Sequence, residues 1–127
     1  MPLHWKIAPL EQMVVCVSEG VVSKDELLAY FKALEEAGAV HYRKLLDASG
    51  AECHLTADEI AELVAYAKSL KGQGTPGPMA IFTGSSGNDE FVRSVSALLR
   101  PGRRLRTFST IHAARRWLDS APVGRTS

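Results

Sequence analysis

The sequence predicts an α/β fold: a mostly parallel five-stranded sheet with an N-terminal antiparallel hairpin strand and four helices, in the order ββαβαβαβα. Two observations and one rule carry this. Short apolar runs over 13–17, 45–46 and 79–82 alternate with longer segments of helical period. Two capping boxes, Ser23-Lys24-Asp25-Glu26 and Thr56-Ala57-Asp58-Glu59, mark helix starts soon after such runs. Strands alternating with helices of this length imply right-handed crossovers, and therefore parallel neighbours in one sheet.

Taken in order, residues 4–8 form a first strand, Pro9-Leu10-Glu11-Gln12 a turn, and 13–19 a second strand. The second run is continuously apolar, as suits a strand covered on both faces. After Gly20, the Ser23 box opens a helix with Leu27, Phe31 and Leu34 on one stripe and Leu28 and Tyr30 beside it, closed by Gly38. A third strand over 42–48 ends at Asp47-Ala48-Ser49-Gly50, with Ser49-Gly50 as the turn. The Thr56 box then opens a helix that buries Ile60, Leu63, Val64, Ala67 and Leu70. A Gly- and Pro-rich link over 71–78 leads to a core strand over 79–83 and the loop Gly84-Ser85-Ser86-Gly87-Asn88-Asp89. The next helix turns Phe91, Val95, Leu98 and Leu99 inward and stops at Pro101-Gly102. Residues 104–109 alternate as an edge strand does, and Ser109 or Thr110 caps a last helix carrying Ile111, Ala114, Trp117 and Leu118. Residues 1–119 read as one domain and 120–127 as a disordered tail.

At 127 residues the chain holds one real core, and its net charge of +1 favours neither nucleic acid nor membrane. The charge is unevenly placed. Before Arg93 there are seven Lys or Arg against thirteen Asp or Glu; from Arg93 onward there are eight Arg against Asp119 alone, giving −6 and +7. An exposed edge strand and helix face wetted by Arg account for this, and an acidic partner or nucleic acid is the functional counterpart. Two cysteines in unlike contexts make no disulfide framework: Cys16 lies in an apolar run as a small hydrophobe, and Cys53 in a loop. No signal-peptide pattern and no run long enough for a transmembrane segment appear, so the expected setting is cytoplasmic.

Three pieces of the chain point further. Leu45-Leu46-Asp47-Ala48-Ser49-Gly50 is a strand ending in an Asp-x-Ser-Gly turn; Met79-Ala80-Ile81-Phe82 is the next hydrophobic strand; Phe108, followed by Ala113-Ala114-Arg115-Arg116-Trp117-Leu118, makes a closing strand and an Ala-x-x-Trp-Leu helix. In this order and spacing they resemble the SpoIIAA-like fold of the STAS domains, in particular small bacterial STAS-like proteins, over residues 4–118 or so. In anti-sigma-factor antagonists of that superfamily, an Asp-Ser-Ser-Gly-like signature opens the second helix and a partner kinase phosphorylates its Ser. Here that helix begins Leu55-Thr56-Ala57-Asp58: Thr56 supplies a hydroxyl as candidate phosphoacceptor, but the flanking Ser and Gly are missing, and Asp58 and Glu59 would repel a phosphate. The resemblance therefore implies a regulatory or binding module more than a phosphoswitch. Unmodified, Thr56 is a helix cap.

The candidate chemistry gathers at strand ends, where open α/β sheets meet their ligands. Asp47 either accepts a proton or ligand there, or accepts loop N–H groups and fixes the turn. Thr83-Gly84-Ser85-Ser86-Gly87-Asn88 has the form that cradles an anion with backbone N–H groups, yet lacks the Lys of a Walker A loop and the spacing of a nucleophile elbow. A correctly ordered sheet would bring Thr83, Ser85 and Ser86 beside Asp47, Ser49 and Thr56, which are the expected ligand- or partner-binding residues. Cys53-His54 has no second Cys or His at metal-ligand spacing, and His4, His41 and His112 are scattered, so no metal, cofactor or catalytic set is expected. Only Phe108, among Arg106, Arg115 and Arg116, hints at a nucleic-acid platform.

The expected function is non-enzymatic recognition of a protein partner, or of a small anionic or lipid-like ligand, by strand-end loops and helix N-termini. Two alternatives stand beside it. One is a small enzyme using Asp47 as base with Cys53 or Ser85. The other is a structural subunit or homo-oligomer built on the arginine-rich C-terminal face.

Overall fold

The structure, a computed structural model, describes residues 3–70, 76–84, 93, 96 and 104–122. Along the chain run β1 (Leu3–Ala8), β2 (Met13–Val22), α1 (Lys24–Ala37), β3 (Arg43–Cys53), α2 (Ala57–Ser69), β4 (Met79–Phe82), β5 (Leu105–Phe108) and α3 (Ile111–Ser120). The sheet has five strands in the order β1-β2-β3-β4-β5. β1 is antiparallel to β2, and every later pair is parallel. The mixed sheet is therefore the expected one. Three helices are described; the helix expected around Phe91, Val95, Leu98 and Leu99 lies outside the described residues, apart from Arg93 and Ser96, whose backbone is helical. Among the described residues no helix is long and apolar enough to cross a membrane.

Local chemistry explains each boundary. Gln12 closes the β1–β2 turn by donating its N–H to the Pro9 carbonyl at 3.2 Å. Ser23 and Thr56 cap α1 and α2, each within a complete capping box, so both helices start where the sequence places them. Gly38 ends α1 in the left-handed conformation, φ 65°. Thr110, not Ser109, caps α3, accepting from the Ala113 N–H at 3.2 Å.

The sheet buries its two faces differently. On one, Val14, Cys16, Leu46 and Ile81 meet Leu27, Phe31 and Leu34 of α1 and Leu63 of α2. On the other, Leu45 and Ala80 meet Ala114 and Leu118 of α3. The α2 stripe is shallower than its sequence suggests: within the helix Leu63 is buried, and Ile60, Val64 and Ala67 are half-buried. Ile111 is exposed at the first position of α3. At the other end of α3, Ser120 is helical and Ala121 is buried, so order continues past residue 119.

Two features depart from the sequence reading. β2 and β3 both run on past Glu19 and Ala48, because the register jumps there instead of breaking. Val17 pairs with Asp47 and Glu19 with Gly50, so β3 carries one extra residue, and the two strands continue to Val22 and Cys53. This is a β-bulge in a parallel pair. The second is Lys44, whose side chain is 1 % exposed within β3. Its ammonium donates to the carbonyls of Val40 at 2.7 Å and Tyr42 at 2.8 Å. The strand's two-residue period puts Lys44 on the same face as Leu46 and Ala48, a signal available in the sequence.

Cys16 behaves as a buried hydrophobe. Burial pushes its thiol up to about 12 from an ordinary 9.0. The neutral thiol is thus present in both folded and unfolded chains below about pH 9, and only the unfolded chain ionises above it. Stability contributed by the neutral thiol is lost as pH rises towards the folded value, by about 1.4 kcal/mol per pH unit. Urea unfolding at about pH 8 and pH 10 should show a steeper alkaline loss in the native sequence than in Cys16→Val. Equal pH slopes would show that the thiol is not shielded.

Candidate functional site

Asp47 ends the stretch of β3 that is paired on both sides. Its neighbours in register are Val17 on β2 and Phe82 on β4, so the three side chains share the face that α3 also covers. All three are half-buried. Immediately afterwards the bulge begins. One carboxylate oxygen, Asp47 Oδ1, accepts both from the Ser49 N–H at 3.0 Å and from the Ser49 hydroxyl at 2.7 Å. This is an Asx-type turn, and it holds the extra residue of the bulge in place. Asp47 is a turn-fixing carboxylate here, but one oxygen makes both contacts and leaves Oδ2 with acceptor capacity. Ser49-Gly50 forms the bulge and not a terminal turn.

The β4 exit loop comes to the same place. Gly84 takes φ 70°, and a Cβ added to it would lie 3.1 Å from the Ser49 Cβ. Thr83 is fixed to β5: its N–H donates to the Phe108 carbonyl at 2.9 Å and its hydroxyl to the same oxygen at 3.3 Å. Asp47, Ser49, Thr83 and Gly84 thus form one cluster at the carboxyl edge of the sheet. The sequence presents Gly84 only as part of a loop, and Val17 and Phe82 only as parts of apolar strands, not as site residues. The β2–β3–β4 register would have found the last two. Ser85 and Ser86 lie outside the described residues.

Thr56 is placed elsewhere. Its hydroxyl accepts from the Glu59 N–H at 3.1 Å and its own N–H donates to the Glu59 carboxylate at 3.0 Å. It follows the far end of the β2–β3 extension, where Cys53 pairs with Val22 just before the α1 cap. From Asp47 to Cys53 the strand advances six residues, roughly 20 Å at the usual rise. The same distance separates Asp47 from the position of Cys53. His54 pairs instead with Glu52, at 3.3 Å on the surface. His41 is buried edge-on against Tyr42, and His112 contacts Arg116. Among the described residues no group of three His, Cys, Asp or Glu side chains is placed to hold a metal.

The cluster therefore offers a half-buried carboxylate with an open acceptor, bordered by apolar Val17 and Phe82. Such an arrangement accepts a hydrogen-bond donor carried on an apolar stem. No family model and no curated protein matches the sequence. Among solved structures, the chain is similar to an uncharacterised protein of the DUF3478 family from Shewanella loihica PV-4, described as having a SpoIIAA-like fold. The two are 15% identical; the match covers 91% of this chain and 93% of that one, with a TM-score of 0.63. Sheet order, the antiparallel first pair and the flanking helices agree with that likeness: the chain has the SpoIIAA-like fold.

Proposed function

We propose that the protein is a non-enzymatic regulatory binding module that receives a partner protein at the Asp47–Ser49–Gly84 edge. The observation that carries this reading is the division of labour within one carboxylate. Asp47 Oδ1 is committed to Ser49, so the turn is rigid before anything binds, and Oδ2 remains to accept a donor. A Lys or other N–H-bearing side chain of the partner fits, its stem lying on Val17 and Phe82 and its head on Asp47. A small anionic or lipid-like ligand is the weaker form of the proposal, because a carboxylate at the centre repels an anion.

An enzymatic reading with Asp47 as base draws no support from Cys53. Of its two candidate nucleophiles, Cys53 stands too far along β3 for proton transfer within hydrogen-bond reach, and Ser85 lies outside the described residues. Amide chemical shifts titrated with n-butylammonium, n-butyrate and inorganic phosphate test the proposal. Butylammonium should move the amides of residues 47–50 and Gly84. Silence of these amides towards butylammonium, with a response elsewhere, would place the site on another surface. Movement by phosphate alone would favour an anion site.

A further inference from the structure

Among the described residues β5 is the outer strand of the sheet and pairs with β4 alone. Met79 and Thr83 donate their N–H groups to the carbonyls of Arg104 and Phe108, at 2.8 and 2.9 Å. Alternate residues of a strand turn their backbone groups to opposite sides, so Leu105 and Thr107 present theirs to the outer edge. Arg104, Arg106 and Thr107 are exposed along it.

The arginines are held in place by rings. The Arg104 guanidinium lies 5.4 Å over the ring of Trp117, and that of Arg106 lies 5.6 Å over Phe108. The two rings pack 5.8 Å apart. Arg115 and Arg116, which precede Trp117 in α3, are exposed. Among the described residues the salt-bridge contacts join Lys24 to Glu62 and the His54 ring to Glu52, so none of these arginines meets a carboxylate. Stacking orients a guanidinium and reduces the ordering cost of binding an anion.

Three occupants can be weighed. Single-stranded nucleic acid would stack bases on Trp117 and Phe108, but the protein's own arginines already cover those rings. A second copy pairing at the same edge would set Arg106 against like charge. An extended segment with carboxylates at alternate positions satisfies both the open backbone groups and the arginines. We propose that the β5 edge docks an acidic segment of a partner protein as an added strand, its carboxylates on Arg104 and Arg106. This surface adjoins the Asp47 cluster at Thr83 and Phe108, but the proposal does not rest on that cluster.

The test is fluorescence anisotropy with a short labelled peptide of alternating Glu and Val, on the full chain. The peptide should bind, lose affinity as salt rises, and lose at least about tenfold on Arg104→Glu and Arg106→Glu, both surface changes. Thr107→Pro removes an outward N–H at an edge position that tolerates proline, and should weaken binding with the melting temperature preserved. Equal binding of a peptide with every Val replaced by Pro would overturn strand addition. Tighter binding of oligothymidylate than of the peptide would overturn the choice of partner. Self-association abolished by Arg106→Glu would assign the edge to a second copy instead.

Discussion

Gly77→Ala is expected to lower stability by about 3 kcal/mol or more, a large fraction of what a small domain has. Gly77 is buried just before β4 and donates its N–H to the Val40 carbonyl at 3.0 Å. A Cβ there would run into the carbonyl oxygen of Tyr42, with that of His41 at 2.6 Å. These are backbone atoms, and the Tyr42 carbonyl is also held by Lys44, so no flexible side chain can give way. Gly38→Ala is the control. Its left-handed φ of 65° costs an L residue about 1 kcal/mol, but nothing lies within 4 Å of the added carbon. Urea unfolding should separate the two variants clearly, and equal losses would refute the backbone collision.

Lys44→Met should cost about 2–3 kcal/mol, although methionine reproduces most of the stem's volume. The ammonium supplies charge-assisted hydrogen bonds to the Val40 and Tyr42 carbonyls inside the core. Val40 keeps the Gly77 N–H after the change; the Tyr42 carbonyl loses its charged donor in a site that is 8 % exposed. Lys44 and Gly77 therefore serve one knot, the return of the chain into β3 beside the entry to β4. Neighbouring variants in such a knot should be non-additive. Thermal melts of Lys44→Met measure the effect, and a variant as stable as the native sequence would show that the buried ammonium contributes nothing.

Much of this fold was legible because local signals agreed with global ones. The two capping boxes, Gly38 and the apolar runs at 13–17 and 79–82 each state one element and one direction. The misreadings occur where a residue has two local meanings. Gly20 and Ser49-Gly50 read as chain breakers, yet here they accompany a bulge that lets β2 and β3 continue. Only pairing with the partner strand distinguishes a bulge from a turn, and one strand's sequence does not contain that information. A lysine in a strand usually marks a solvent edge; the acceptors of Lys44 are main-chain carbonyls, which no side-chain pattern reveals.

The candidate site divides in the same way. Asp47 and Ser49 were found from a four-residue pattern, and their hydrogen bonds are local, two residues apart. Thr56 reads as their neighbour when β3 stops at Ala48 and the next helix starts from the same edge of the sheet. The bulge adds the extension to Cys53 in between, which carries the Thr56 cap away from Asp47. Val17, Phe82 and Gly84 enter through register and loop packing, both non-local.

The most direct test of recognition at this edge is Asp47→Asn, assayed for stability and for n-butylammonium binding in the same samples. The amide oxygen of Asn can accept both Ser49 donors, so the bulge should persist and stability should change by less than about 1 kcal/mol. The charge is gone, so the response of residues 47–50 and Gly84 to butylammonium should weaken at least about tenfold. Unchanged binding in Asp47→Asn would contradict the assignment of Asp47 as the recognising group, and loss of binding only in step with loss of stability would reduce Asp47 to a turn-former.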